Sequence, residues 1–317
     1  MASSELPPAA SSGDLQLAPP PPNTIFRGPN GIRAGWRVLI FVGLCVGVAI
    51  VLFAGLYGFT RGKAQVGISQ LTPVGIGVSE GVIFLVTAVS ALIMSRIERR
   101  SFGLYGLPLR LAFAGDFWVG SLAGFLAISV CLALIYAFHG FHLTGLAIHG
   151  SLTISSTAAW ALAFVMVGLA EEFAFRGYMQ FTIATGIGFW PAAILMSLLF
   201  GFAHAGNPGE SITGLASVFI FGLTFCWILR RTGNLWWVVG FHAGWDWGQT
   251  FFYGVPDSGV APYHNLFNSS FQGPRWLTGG TVGPEASIFT PVVLVLVAIV
   301  FTRFYRENRY PGESKTF

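Results

Sequence analysis

The chain has 317 residues, of which 54% are hydrophobic and only 9% are charged. A soluble globular domain carries about 25% charged residues, so this composition excludes the soluble classes and indicates a membrane protein with several spans. The net charge of +4 comes without a basic cluster interleaved with aromatic residues, which argues against nucleic acid as a partner and favours membrane lipid. The three cysteines, Cys45, Cys131 and Cys226, lie in apolar runs and show neither disulfide nor metal spacing.

In chain order, a stretch rich in Pro, Ala and Ser over residues 1–30 predicts a disordered cytoplasmic tail. A membrane domain is predicted over residues 31–310, followed by a second cytoplasmic tail at 311–317, with connecting loops at 139–155 and 256–285. Apolar runs of about 20 residues can span a bilayer as helices. Eight such runs lie near 36–59, 73–95, 113–138, 157–184, 190–206, 211–229, 233–254 and 287–305. The predicted fold is therefore all-α and polytopic, with about eight transmembrane helices.

The basic residues predict the orientation of these eight spans. The segments on the side of the two termini hold 14 Lys and Arg residues, whereas the segments on the opposite side hold 3. Cytoplasmic loops carry the excess of Lys and Arg in membrane proteins. The count therefore predicts an integral membrane protein with both termini in the cytoplasm, and we expect the membrane to be a bacterial inner membrane.

Three of the predicted spans carry ionisable side chains where apolar residues belong. These are Glu171, Glu172 and Arg176 in the fourth span, His204 in the fifth, and His242 and Asp246 in the seventh. Because a helix rises about 1.5 Å per residue, Glu171 and His204, which are equidistant from the turn between their spans, are predicted to lie at one depth. Residues four apart share a helix face, so Glu172 can pair with Arg176. Ionisable groups inside a bilayer are costly, and this set predicts an intramembrane active-site cavity.

Two chemistries suit these side chains. In the first, Glu171, His204 and His242 bind a zinc ion and leave one position open for water, as in hydrolytic zinc sites. In the second, no metal is present, and Glu171 takes a proton from a water held by His204 while His242 stabilises the oxyanion of a cleaved amide. As a carboxylate, Asp246 could bind the metal or orient a histidine. It could stabilise an oxyanion only when it is protonated. The residues leave both chemistries open.

The site residues in these three spans, within residues 157–253, form patterns that resemble the three motifs of the CPBP family. The matching residues are Glu171-Glu172-x-x-x-Arg176, Phe200-x-x-x-His204 and His242-x-x-x-Asp246, and the run at 98–107 is similar to a loop found upstream in the family. That family contains the type II CAAX prenyl endopeptidases and the Abi, or bacteriocin-processing, intramembrane proteases. The resemblance implies that Glu171 activates water, that His204 is its partner and that Glu172 and Arg176 hold the arrangement. His242 and Asp246 would complete the site, although the family often has Asn at the last position.

The sequence thus predicts an intramembrane endopeptidase, of the metallo- or glutamate type, whose substrate is a membrane-bound or lipidated peptide. A prenylated CAAX-type substrate is the narrower form of this hypothesis. Two other classes stay open: a transporter that relays protons or a metal ion through the same residues, and an immunity or scaffold membrane protein without turnover. Inverted repeats or broken helices would favour the transporter, and no clear internal repeat occurs in the sequence.

Overall fold

The computed structural model describes residues 24–28, 31–59 and 72–311. These residues form an all-α membrane protein, as the sequence predicts, with two small sheets of two strands each. In chain order the helices are α1 (Ala34–Phe59), α2 (Pro73–Ile97), α3 (Gly115–Ala137), α4 (Ser151–Arg176), α5 (Tyr178–Ile187), α6 (Phe189–Ala203), α7 (Ile212–Thr232), α8 (Trp236–Asp246), α9 (Arg275–Thr278) and α10 (Phe289–Phe304).

Helices occupy all eight ranges that the sequence predicts as spans. Six stretches of the described residues are long and apolar enough to cross a membrane: α1, α2, α3, the pair α4–α5, α6 and α7. The seventh predicted span corresponds to α8 and a π-helical turn, Trp247–Phe252, and the eighth to α10, which has only 16 residues. The predicted number of eight full spans is therefore not confirmed.

The fourth predicted span is interrupted where the sequence predicts a continuous helix. Helix α4 ends at Arg176 and α5 begins at Tyr178, with Gly177 between them. A Cβ atom at Gly177 would lie 2.3 Å from the carbonyl oxygen of Phe173, so the chain turns here against its own preceding turn. The next turn, between α5 and α6, is made by Gly188 at φ +85°, a conformation that glycine adopts without strain. This second turn lies where the sequence predicts it.

Two of the predicted connecting loops contain strands instead, so that part of the prediction was wrong. Strand β3 (Phe141–Leu146) pairs antiparallel with β4 (Phe267–Phe271), and Phe141 lies opposite Phe271. The pairing joins segments more than a hundred residues apart, which a local sequence pattern cannot show. A second small sheet joins β1 (Arg27–Gly28) to β2 (Gly31–Ile32). Most of the tail predicted at 1–30 and nearly all of that at 311–317 lie outside the described residues.

Helices α3 and α8 pack with their backbones in contact, because each presents two glycines four residues apart. A Cβ atom at any of the four glycines would come within 2.0 or 2.1 Å of a carbonyl oxygen on the facing helix. The glycines are Gly120 and Gly124 in α3 and Gly240 and Gly244 in α8. Small residues of this spacing let membrane helices approach closely. The contact fixes the rotation of α8, and its other face carries His242 and Asp246.

The two ends of the helix bundle differ in charge. At one end, Arg37 at the start of α1 forms an ion pair of 2.7 Å with Glu98 at the end of α2, and the backbone of Arg309 donates to Arg230 at the end of α7. We call this the arginine end. Its arginines are Arg27, Arg33, Arg37, Arg96, Arg99, Arg100, Arg110, Arg230, Arg231, Arg303, Arg306 and Arg309. The opposite end carries β3, β4 and residues 253–288, which we call the cap.

Candidate active site

A cavity of about 310 Å³ lies between α2, α4, α6, α7, α8 and the cap. Its aromatic walls include Trp160, Phe164, Phe200, Phe221, Phe225 and Trp245. Its polar lining consists of Ser79, Glu80, Glu171, His204, Asn207, His242, Asp246, Thr250, Asp257, Ser258 and Glu285. Four of the six predicted site residues thus line one cavity, and the other two, Glu172 and Arg176, lie fully buried behind it.

Glu171 lies at the centre of the polar groups. Its Oε2 atom is 3.9 Å from Nε2 of His204 and 3.7 Å from Nε2 of His242. Both separations are longer than a hydrogen bond, and this oxygen has no hydrogen-bond partner among the described residues. The Glu171 side chain is 24% exposed and lines the cavity. Three polar atoms, from α4, from the turn that follows α6 and from α8, therefore lie near one another without being hydrogen-bonded.

Each histidine is held by its other ring nitrogen. Nδ1 of His204 lies 2.9 Å from the carbonyl oxygen of Phe200, one helical turn earlier. Nδ1 of His242 lies 2.9 Å from Oε1 of Glu172. Because a carbonyl and a carboxylate accept hydrogen bonds, both Nδ1 atoms carry a proton. The Nε2 atoms that face Glu171 accept hydrogen bonds when the ring is neutral and donate them when it is protonated.

A buried ion pair lies directly behind the cavity. Nη1 of Arg176 donates to both carboxylate oxygens of Glu172, at 3.1 and 3.2 Å, and both side chains are 0% exposed. The guanidinium carbon lies 4.0 Å from the centre of the Phe200 ring, a geometry of cation–π contact. The sequence predicted this pairing from the spacing on α4. Its consequence is that Glu172 holds His242 while Arg176 balances the charge of Glu172.

Asp246 belongs to two groups of side chains. Its Oδ2 atom lies 3.6 Å from Nε2 of His242, one turn earlier on α8. Its carboxyl group also lies with those of Asp257 and Glu285, whose oxygens are within 4.8 Å of one another. Burial raises the pKa of Asp257, and burial together with the neighbouring Asp257 raises the pKa of Glu285. The hydroxyl of Thr250 donates to Asp257 at 2.7 Å and so connects the cap to the π-helical turn that follows α8.

Sequence reasoning missed three carboxyl groups that line the cavity. Glu80 lies inside the second predicted span, and its Oε2 atom is buried without a hydrogen-bond partner among the described residues. An ionisable residue in an apolar run is itself a signal of function, so Glu80 could have been found. Asp257 and Glu285 lie 28 residues apart in a polar connection, and no local pattern distinguishes them from ordinary loop residues.

The side chains around Glu171 are of the chemical types that bind zinc. Two imidazole nitrogens and a carboxylate are usual zinc ligands, and a carboxylate or carbonyl on the second ring nitrogen is the usual support of a metal-bound histidine. Ligand atoms around a tetrahedral zinc lie about 3.4 Å apart, while Glu171 Oε2 lies 3.7 and 3.9 Å from the two Nε2 atoms. Glu171, His204 and His242 are thus the residues that would hold the ion, in an arrangement slightly wider than a zinc site.

Comparison with known proteins bears on the same part of the chain. Residues 153–248 match the family described as Rce1-like, type II CAAX prenyl endopeptidase Rce1-like. This stretch is under a third of the chain, and it contains all six predicted site residues. No match was found among curated proteins. The resemblance seen in the three motifs is therefore confirmed, and the part of the chain that carries the candidate site is similar to the Rce1-like family.

Proposed function

We propose that this protein is an intramembrane endopeptidase that hydrolyses a peptide bond in a membrane-associated or lipidated substrate. The observation that carries the proposal is the cavity in which the carboxyl group of Glu171 faces Nε2 of His204 and Nε2 of His242 at 3.9 and 3.7 Å. The family match supports a CAAX-type endopeptidase in general. The roles of single residues and the range of substrates are part of the proposal.

In the proposed reaction, a water molecule donates one hydrogen bond to the carboxylate of Glu171 and the other to Nε2 of neutral His204. General bases of this kind work at hydrogen-bond distance from the proton that they remove. As the water oxygen attacks the peptide carbonyl, its proton passes to the carboxylate of Glu171. The carbonyl oxygen takes up the electron pair of the broken π bond and becomes an oxyanion.

His242 is placed to stabilise that oxyanion in its protonated form. With Nδ1–H held by Glu172 at 2.9 Å, the proton on Nε2 points into the cavity, where a fixed donor stabilises developing negative charge. Collapse of the tetrahedral intermediate then breaks the C–N bond. The proton on Glu171 passes to the leaving nitrogen, and the products are a carboxylic acid and an amine. In this scheme Asp246 orients His242 from 3.6 Å.

A zinc ion held by Glu171, His204 and His242 would lower the pKa of a bound water and polarise the carbonyl. In that case Glu171 would be a ligand and not the base. The proposal rests on the protein side chains alone, and the two versions differ in whether cleavage needs the metal.

The break in the fourth predicted span gives the transporter hypothesis no support. Broken helices at a transport site place their ends against the bound ion. The break in α4 is at Gly177, on the arginine-end side of Glu171, and the residues around it do not line the cavity. We also propose that both termini are cytoplasmic, which the distribution of Lys and Arg supports, and that the membrane is a bacterial inner membrane.

The test is cleavage of lipidated peptides by the purified protein, with products identified by mass spectrometry. We expect cleavage by the wild type and its loss in the Glu171→Ala and His204→Ala variants. Glu307→Gln changes a carboxylate that is 76% exposed and away from the cavity, and it should cleave like the wild type. Unchanged cleavage in either alanine variant would refute the proposed roles, and proton or metal flux without cleavage would favour a transporter.

A further inference from the structure

A second cavity lies at the arginine end and is separate from the candidate active site. Its volume is about 610 Å³, and the two cavities share no lining residue. Three segments enclose it: the connection between α2 and α3, the turn between α7 and α8, and the chain after α10. The lining residues are 101–104, 108–111 and 232–234 together with Arg309 and Pro311. We call this cavity the arginine pocket.

Hydrogen bonds within the chain fix the shape of the arginine pocket. Nδ2 of Asn234 donates to the carbonyl oxygen of Thr232 at 3.1 Å, and Oδ1 accepts from the backbone N–H of Trp236 at 3.0 Å. Asn234 and Thr232 are only 5% and 7% exposed. The α2–α3 connection is joined to the start of α8 because the indole nitrogen of Trp236 donates to the carbonyl oxygen of Pro108 at 3.1 Å. The pocket is therefore formed by the fold itself.

The side chains that line the arginine pocket bring positive charge. Arg110 and Arg309 line it, and no carboxyl group of the described residues does. Arg110 is exposed, and its guanidinium group has no hydrogen-bond or ion-pair partner within the described ranges. Arg309 pairs with Glu307 at 3.1 Å, but those side chains are 63% and 76% exposed, and such a pair is weak. Both cations are therefore available to an anion.

The surroundings of the pocket have the same imbalance of charge. The arginine end holds twelve arginines but only three carboxyl groups of the described residues, those of Glu98, Asp116 and Glu307. Glu98 is engaged in the ion pair with Arg37, and Asp116 accepts a hydrogen bond from Tyr305. Clustered charges of one sign raise the local concentration of ions of the opposite sign. Anions are thus attracted to this end of the bundle.

Exposed leucines at the arginine pocket indicate that its anion is part of a lipid. Leu104 and Leu109 line the pocket and are 51% and 79% exposed. Both lie in short turns of the α2–α3 connection, and Arg110 follows Leu109 directly. Apolar side chains exposed beside basic ones are typical of segments that lie in the interface of a bilayer. A small soluble anion would leave both leucines in water, whereas a lipid covers them with its acyl chains.

We propose that the arginine pocket binds the phosphate headgroup of an anionic phospholipid. Arg110 and Arg309 donate hydrogen bonds to the phosphate oxygens, for which the planar guanidinium group is well suited. Leu104 and Leu109 contact the acyl chains next to the headgroup. Basic pockets between membrane helices bind anionic headgroups in this way. The inference does not depend on the proposed peptidase function, because the two cavities share no side chain.

The test is the unfolding temperature of the full-length protein in a neutral detergent, titrated with dioctanoyl phosphatidylglycerol. A ligand that binds only the folded state raises this temperature, so we expect a saturable increase. Dioctanoyl phosphatidylcholine, which has no net charge, and glycerol 3-phosphate, which has no acyl chain, should give no saturable increase. An equal effect of phosphatidylcholine would overturn the inference, and an equal effect of glycerol 3-phosphate would show a site for soluble phosphates instead of lipid.

Two double variants test whether the lipid binds in the pocket. Loss of both lining cations in Arg110→Gln/Arg309→Gln should weaken the binding of phosphatidylglycerol about 30-fold. The control Arg96→Gln/Arg303→Gln removes the same charge from exposed positions of the same end that do not line the pocket, and it should bind like the wild type. Equal loss in both would overturn the inference, because binding would then follow total charge. If the first variant does not fold, Arg110→Gln alone should weaken binding about fivefold.

Discussion

Replacement of Arg176 by methionine tests the buried ion pair that supports the candidate site. The guanidinium group donates to both oxygens of Glu172 at 3.1 and 3.2 Å, both side chains are 0% exposed, and the ring of Phe200 lies 4.0 Å away. Methionine has a similar length and no charge, so Arg176→Met leaves the carboxylate of Glu172 buried without its cation. Breaking a buried pair in this way costs about 3–5 kcal/mol.

The expected loss can be stated as a melting temperature. For a chain of this order of size, 1 kcal/mol shifts the unfolding temperature by about 2–4 °C, so Arg176→Met should unfold about 6–20 °C below the wild type. The double variant Glu172→Gln/Arg176→Met removes both charges. Replacing both partners of a buried pair is often nearly neutral, and the double variant should therefore recover most of the lost stability.

The assay is thermal unfolding of the purified protein in detergent, with Arg309→Met as the matched control. Arg309 pairs with Glu307 at 3.1 Å, but the two side chains are 63% and 76% exposed, and pairs of this kind contribute about 0–1 kcal/mol. The control should unfold close to the wild type. An Arg176→Met protein as stable as the wild type, or a double variant no more stable than the single one, would refute the reasoning.

Three further predictions concern packing, pH and metal. A Cβ atom at Gly124 would lie 2.0 Å from a backbone oxygen of α8, while one at Gly43 meets nothing within 4 Å. The Gly124→Ala variant should therefore be less stable by about 1–3 kcal/mol or more, and the Gly43→Ala variant should be as stable as the wild type. Equal melting temperatures of the two variants would contradict the close contact. The pKa values of Asp257 and Glu285 are raised above 3.8 and 4.5 by burial, so the folded state binds extra protons and its stability falls as pH rises through those raised values. The Asp257→Asn/Glu285→Gln variant should show a smaller fall in melting temperature as the pH rises above 4.5, and an unchanged slope would contradict this origin. Dialysis against a chelator should leave peptide cleavage unchanged, because the proposed steps use side chains alone; loss of cleavage that zinc restores would make Glu171 a metal ligand.

The sequence could predict the parts of the site that depend on helix geometry. Glu171 and His204 are equally far from the turn at Gly188, which predicts that they lie at one depth. In the structure Oε2 of Glu171 is 3.9 Å from Nε2 of His204. The spacing of four residues predicts the ion pair of Glu172 with Arg176, which the structure contains. Both inferences need only the rise and periodicity of a helix.

The parts that could not be predicted depend on contacts between distant segments. The pairing of β3 with β4 and the approach of Asp257 and Glu285 to Asp246 bring together residues that no spacing relates. At the break, Gly177 lies close to the preceding helical turn, and a hydropathy pattern does not show such a contact. The hydrogen bond from His242 to Glu172 also required the relative rotation of α4 and α8.

The most direct test of the account is the single-turnover rate of peptide cleavage by the Glu171→Gln variant. Glutamine keeps the shape of the side chain and removes its ability to take a proton, and loss of a general base lowers the rate by about 10²–10⁴-fold. The account predicts a decrease of that size with an unchanged unfolding temperature. A Glu171→Gln rate equal to that of the wild type would contradict it.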